Sequence, residues 1–550
     1  MDGVTAMDIG RRWSGERLAT LLGSVSLILC AGPVFAADEH QPPPVADTEA
    51  LRAQVANLTT LLQDLSRRDQ EQIQALAAQV SALQARLDQT QATQAQAQGE
   101  QALPRATQNA TGQMAMGPAN PAPDSGIAQP RVVQNAARRF ELQSADGKYS
   151  IGLTGDVQFD SGFYNFHPDS RLVGPQQLSN GVNARRARIG ITGTAGGNFA
   201  FALVYDAGNT SDQTASGIET AQIIYNGLRG AAFELGYSNT FFTLDRATGS
   251  NDTLFLERAS PSNIATNFNA GDNRANAGMR FFGDRYWIGG YLTGPASGDS
   301  HTLTGERLGA FERVAVQALK GPDYTLHLGF GFDQLIRAPN TGNGTPNVLT
   351  LSDQPELRID PTTLLSTGVI GTSLHPVTSG YVLDFETAAT FRNFFWQGEY
   401  YSYQVDRLGL PNANFDGGYG EVSWVLTGEN HRYNPQAASY FRVSPRHPFS
   451  LKDGGWGAWE LAARVSYVDL NSNFLAGQAL SAHPAAVDGG IQRGYSFGVS
   501  WYPNDLVRFL LDYERIVYSK ANGAAVTGAP LGAPVGASFD AVALRAQVAY

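Results

Sequence analysis

Residues 539–550 alternate face by face. Val542, Leu544, Ala546, Val548 and Tyr550 fall on one side of an extended strand, and Ala543, Arg545, Gln547 and Ala549 on the other. A strand that is apolar on one face, polar on the other and finishes on an aromatic is suited to closing a transmembrane β-barrel. The same alternation recurs upstream. Tyr149, Ile151, Leu153, Val157, Phe159 and Phe163 oppose Ser150, Thr154, Asp156, Gln158 and Asp160, while Ala187, Ile189 and Ile191 oppose Arg186, Arg188 and Thr192. Phe497, Val499 and Trp501 form one outward row, and Val507, Phe509, Leu511 and Tyr513 form the next after a tight turn at Pro503, Asn504 and Asp505. A charge on the lipid face at mid-bilayer costs roughly 2–4 kcal/mol, which explains why these rows stay clean.

About sixteen such segments follow one another between residue 147 and the last residue. The even count places both termini on the periplasmic side, with short turns there and long loops outside. No long apolar run follows residue 36, so helical membrane spans are excluded. The 60 glycines, 21 tyrosines and 28 phenylalanines suit strands, turns and aromatic girdles. The expected fold is therefore all-β: a 16-stranded antiparallel transmembrane β-barrel over 139–550. A large secreted β-sandwich or β-helix is the rival, but it has no need for aromatic, charge-free outward faces in nearly every strand.

The rest of the chain reads differently. Arg11, Arg12 and Arg17 precede an apolar stretch, and Val34-Phe35-Ala36 resembles a cleavage site, so 1–36 is expected to be a secretory signal peptide. Cys30, the one cysteine, lies inside it, which leaves no thiol chemistry for the mature chain. Leu51, Val55, Leu58, Leu62 and Leu65, then Ile73, Leu76, Val80, Leu83 and Leu87, follow 4-3 spacing. Segment 37–90 is accordingly expected to be a periplasmic α-helical coiled coil. Residues 91–138, rich in Gln, Ala, Pro and Gly without an apolar period, read as a disordered, flexible linker.

The net charge of −11 argues against nucleic acid as a partner. Neither HExxH nor a P-loop is present, and the eight histidines are scattered, so no nucleophile, metal site or cofactor is nominated. The informative stretch follows the fifth strand, at residues 241–261. In sixteen-stranded porins the third external loop folds inward, and its side chains set the field at the constriction. Here that loop offers Arg246 and Arg258 against Asp245, Asp252 and Glu257.

This segment resembles the phosphate-selective porin O and P family. The matching residues are Leu244-Asp245 and Phe255-Leu256-Glu257-Arg258-Ala259-Ser260-Pro261, with further agreement at Arg185-Arg186-Ala187-Arg188, Gln354-Pro355-Glu356-Leu357-Arg358 and Phe441-Arg442-Val443-Ser444-Pro445. The resemblance spans about 140 to 550. It implies a homotrimer of sixteen-stranded barrels in the outer membrane, drawing phosphate or polyphosphate with an arginine ladder and constriction lysines. Arg186 and Arg188 match the arginine-rich second strand, where alternation points them into the lumen, and Arg358 matches the loop before the tenth. Lysine departs from the pattern: Lys148, Lys320, Lys452 and Lys520 all lie outside the third loop, so arginine must supply the oxyanion contacts.

The expectation is thus a passive outer-membrane diffusion channel for small hydrophilic solutes, preferring anions such as phosphate. Arg186, Arg188, Arg246, Arg258 and Arg358 are its candidate pore residues. The competing reading of each is an arginine that pairs with a carboxylate and braces the wall. Outer-membrane lipid, small inorganic anions and the barrel-insertion machinery, through Tyr550, are the expected partners. The alternative function is a structural tether or a general non-selective porin whose coiled coil spans towards the cell wall.

Overall fold

The computed structural model describes residues 130–134, 140–171, 177–208, 217–269, 273–296, 305–340, 345–354, 356–474, 483–521 and 534–550. The expected signal peptide and coiled coil lie outside the described residues, as does most of the expected linker.

Sixteen antiparallel strands close on themselves. They are β1 Ser150–Pro168, β2 Gly181–Ala195, β3 Phe199–Asp206, β4 Gly217–Tyr225, β5 Ala231–Ser238, β6 Arg274–Phe282, β7 Tyr286–Ala296 and β8 Leu308–Lys320. The second half comprises β9 Tyr324–Arg337, β10 Val377–Phe391, β11 Phe394–Arg407, β12 Ala413–Val425, β13 Ala458–Ser472, β14 Val487–Tyr502, β15 Val507–Ala521 and β16 Pro534–Ala549. Each strand pairs with the next in sequence, and β16 returns to β1 with Val542 opposite Phe163, Arg545 opposite Asp160 and Val548 opposite Val157. Closure leaves no sheet edge, which a span through lipid requires because hydrocarbon cannot satisfy free N–H and C=O groups. The alternation sorts the side chains as expected: Val542, Leu544 and Val548 are exposed, whereas Arg545 and Gln547 are buried inside.

The end at which β1 begins and β16 finishes has tight connections at 196–198, 283–285, 321–323 and 392–393, and is therefore the periplasmic end. An outward aromatic belt marks its membrane interface. Phe394 stacks on Trp424, and Trp459, Trp501 and Phe509 stack in a row at centroid spacings of 5.7 and 5.5 Å. Below the belt, the Tyr550 backbone exchanges both hydrogen bonds with Gly155. The Tyr550 phenol oxygen accepts from the Phe140 N–H at 2.7 Å. Strand Phe140–Gln143 continues this edge of β1 and pairs in turn with Arg131–Gln134. Residues 131–134, expected to belong to the linker, are thus strand, because the neighbouring segment offers them a ladder partner.

Two external loops turn inward. Loop 239–273 carries α1 Leu244–Ala247 and α2 Ser260–Phe268. Loop 338–376 carries a small ladder between Ser352–Asp353 and Leu365–Ser366. One periplasmic connection departs from the expected short turn: residues 426–457 form a hairpin, Arg432–Asn434 against Ser439–Phe441, that enters the barrel from below. It is held by inward side chains that need acceptors. Trp287 of β7 donates to the Gln436 carbonyl at 2.9 Å, and fully buried Arg313 of β8 donates to the carbonyls of Ala437 and Ala438, both at 2.8 Å. The remaining face of Arg313 meets Glu386 of β10 at 2.9 Å.

Replacing Arg313 by Leu would strand Glu386 and two carbonyls, a loss of about 3–5 kcal/mol by the measure of broken buried pairs. Hydrogen–deuterium exchange should show residues 432–441 losing protection while the barrel strands keep theirs.

Candidate functional site: an arginine-lined constriction

Loop 239–273 leaves the wall at β5 and is fastened to the far wall by its backbone. The Leu244 and Asp245 N–H groups donate to Glu399 of β11 at 2.7 and 3.0 Å, capping the first turn of α1 with a carboxylate. Further along, Arg508 of β15 donates to the Thr253 carbonyl at 2.6 Å, Arg545 of β16 to Leu256 at 2.5 Å and Arg464 of β13 to Glu257 at 2.8 Å. The Leu256 N–H returns a bond to Asp512 at 2.7 Å. These partners face inward, so the loop crosses the lumen rather than standing above it. Arg464 therefore braces the structure from the lumen side, as its position opposite outward Trp459 and Leu461 suggests.

Glu257 sits where this crossing meets the arginine-rich second strand. Arg185 grips it with two bonds of 2.6 and 3.0 Å, Arg545 reaches it at 3.0 Å and Arg358 lies 3.4 Å away. Burial alone would raise its pKa, but the Arg185 and Arg545 guanidinium groups hold it well below the usual carboxylate range. Arg185 reaches the lumen through a β-bulge. Gln158 pairs with Arg186 and Phe159 with Ala184, which leaves Arg185 as an extra residue between them. Strict alternation turns Arg185 outward and so misses it; two adjacent arginines in a strand with a clean lipid face were the available signal.

The five sequence-nominated residues do not share one fate. Arg186, Arg188, Arg246 and Arg258, together with Arg185, line a cavity of about 200 Å³ whose other walls include Thr248 and Ser250. Arg258 is neutralised within its own loop, bonding Asp245 at 3.1 Å and the Thr248 carbonyl at 2.8 Å. Arg188 is held by Asp206 and Glu219, each at 2.8 Å. Arg246 donates to Asn239, and burial together with the nearby Arg258 charge pushes its guanidinium pKa down. Arg186 donates to the neutral Gln158 at 2.6 Å and, among the described residues, has no carboxylate within ion-pair distance. Arg358 lies apart from the cavity, between Asp353 at 2.8 Å and Glu257.

Loop 338–376 packs into the same interior. Glu356, fully buried, accepts from Arg464 at 2.7 Å, from the Ser466 hydroxyl at 2.5 Å and from the Ser260 N–H at 3.1 Å. From below, Arg442 of the periplasmic segment donates through its N–H to Asp252 at 3.2 Å, and Ser439 donates to the Ala247 carbonyl at 3.1 Å. The crossing loop is thus supported from three directions, and its cationic cavity is built on fixed elements.

A closed barrel with an outward aromatic belt and an inward, arginine-bearing third loop defines the class: a sixteen-stranded outer-membrane porin, a channel with an anion preference. Within that class the chain belongs to the phosphate-selective porin O and P family, whose model matches residues 151–550. It is 21% identical over 395 residues to Porin O of Pseudomonas aeruginosa, covering 68% of this chain and 85% of that protein. An uncharacterized protein of Caulobacter vibrioides is 26% identical over 519 residues, covering 92% of each chain. Among solved structures, an anion-selective porin from Comamonas acidovorans aligns with a TM-score of 0.43 at 14% identity, covering 73% of this chain and all of that one.

Burial pushes the Asp353 carboxyl up to about 6, against the opposing pull of Arg358. Lowering pH from 7 to 5 protonates it and removes one of the two counter-charges of Arg358, leaving it to share Glu257, so the constriction becomes more positive. Anion preference, read as the zero-current potential across a KCl gradient, should rise over that interval. In Asp353→Asn the step should shrink and the preference at pH 7 should already be higher.

Proposed function

We propose that this porin admits small hydrophilic solutes by passive diffusion and favours small inorganic anions, phosphate among them, at the cavity bordered by Arg186. The observation that carries this reading is the unmatched charge of Arg186: a guanidinium facing a polar cavity, with Gln158 rather than a carboxylate beside it. Arg246 borders the same cavity, while Arg188, held by Asp206 and Glu219, braces the wall and Arg258 and Arg358 act mainly by holding the loops that shape the opening. A planar guanidinium can present two N–H groups to one oxyanion, which lets arginine serve where this loop has no lysine. Membership of a family described as phosphate-selective supports phosphate as the first solute to test.

A homotrimer belongs to the same reading. β3 to β6 are only 8, 9, 8 and 9 residues long, at or below the nine to eleven that a tilted strand needs to cross hydrocarbon, while β8 to β16 run from 13 to 16. Their outward Leu203, Tyr205, Ile218, Ile223 and Leu235 are exposed, and neighbouring subunits would cover this low section of wall. Tyr550, anchored through Phe140, is proposed as both interface anchor and the residue read by the insertion machinery.

Substituting Arg186 by Gln removes one charge worth about 1 kcal/mol at contact distance in a watery pore, or roughly fivefold in the anion-to-cation permeability ratio. The zero-current potential should move towards cations by that amount, and phosphate should lose its block of chloride current. An unchanged potential would remove Arg186 from the selectivity site.

A further inference from the structure

On the wall to which the crossing loop is tied, three buried carboxylates converge. Asp384 and Glu386 of β10 and Glu399 of β11 bring their oxygens within 4.8 Å of one another. Glu386 pairs with Glu399 across the ladder, and Asp384 with Tyr401, so all four side chains share the inward face. Two of the three carboxylates have local compensation. Glu386 is matched by Arg313 at 2.9 Å and touches His327 at 3.3 Å. Glu399 accepts the Leu244 and Asp245 N–H groups and the Tyr419 hydroxyl at 2.5 Å.

Asp384 differs from both. It is fully buried, and neither of its oxygens has a hydrogen-bond partner. The hydroxyl of Tyr401, also fully buried and across the ladder from Asp384, has no partner either. Asp384 faces the carboxylates of Glu386 and Glu399, acceptors like itself, and leaving such a charge buried without a partner is costly. The nearby acids Asp384, Glu386, Glu399 and Asp245 face Arg313 on Glu386 and Arg258 on Asp245. With those two pairs matched, Asp384 and Glu399 leave about two negative charges.

We infer that Asp384, Glu386 and Glu399, with the Tyr401 hydroxyl, form a binding site for a hard divalent cation of the calcium type. Carboxylate and hydroxyl oxygens in an irregular arrangement suit calcium, which accepts six to eight oxygens, better than magnesium with its strict octahedron. The cation would bridge β10 and β11 directly behind Glu399, the residue that caps the first turn of the crossing loop. It would thereby stiffen the far anchor of that loop on the wall away from the arginine cavity. The site makes no use of the anion-binding role proposed above.

The test uses the full-length protein, folded in detergent and stripped with EDTA. Terbium titration, followed by luminescence sensitised through the neighbouring tyrosines, should saturate and be competed away by calcium. Asp384→Asn should weaken terbium binding by more than about 100-fold, since even outer partners of a metal site are worth 10–100-fold. A control change at Glu312, on β8 away from the cluster, should leave it intact. Added calcium should also raise the unfolding temperature of the unsubstituted protein but not that of Asp384→Asn. Absence of saturable, calcium-competed luminescence in the unsubstituted protein overturns the site whether or not the variant folds. So does an infrared carboxylic-acid band that is lost in Asp384→Asn and unaffected by calcium, because it would show that a proton fills the cluster instead. Phosphate and chloride currents are independent readouts and can fail without touching this result.

Discussion

Glu257 holds together parts of the chain that are far apart in sequence. Through one carboxylate the third loop is joined to the bulge of β2 by Arg185, to the closing strand by Arg545 and to the fifth external loop by Arg358. A buried charge of this kind contributes by being fully surrounded, and removing any one partner exposes the others to an uncompensated field. In this arrangement an acid from the protein occupies the place where guanidinium groups converge. The arginines split accordingly: Arg185, Arg545 and Arg358 reach Glu257, whereas Arg186 lies beside the neutral Gln158 and is the residue proposed to act on solutes.

The barrel was legible because its information is periodic. Val507, Phe509, Leu511 and Tyr513, or Phe497, Val499 and Trp501, declare a strand and a lipid face over a handful of residues, and all sixteen expected segments correspond to strands. The inward third loop was legible through Leu244-Asp245 and the run from Phe255 to Pro261. Arg185 was not, since one bulge residue resets the alternation on which the assignment of faces depends. The periplasmic hairpin escaped as well: strands of three residues, Arg432–Asn434 and Ser439–Phe441, are too short to carry a period.

Pairing was the other illegible layer. Composition shows that arginines and acids are both present, but whether Arg258 faces a solute or Asp245, and whether Arg358 belongs to the cavity or to Asp353, depends on contacts made across the lumen. The contacts separate Arg188, Arg258 and Arg358, which sit on carboxylates, from Arg186, which sits beside Gln158, a distinction that sequence spacing cannot make. The same holds for Asp384 and Glu399, fifteen positions apart and on neighbouring strands, whose meeting follows from the β10–β11 register alone.

The hairpin entering from the periplasm places a second obstacle beneath the third loop. Narrow sections along one conduit behave as resistors in series: their resistances add, and the larger dominates the total. Relief at one level therefore yields little extra current unless the other is relieved as well. On the permeation role proposed for the arginine cavity, a solute leaving it has the Arg313-clamped hairpin still ahead, so the residues that choose an ion and the residues that limit its flux need not be the same.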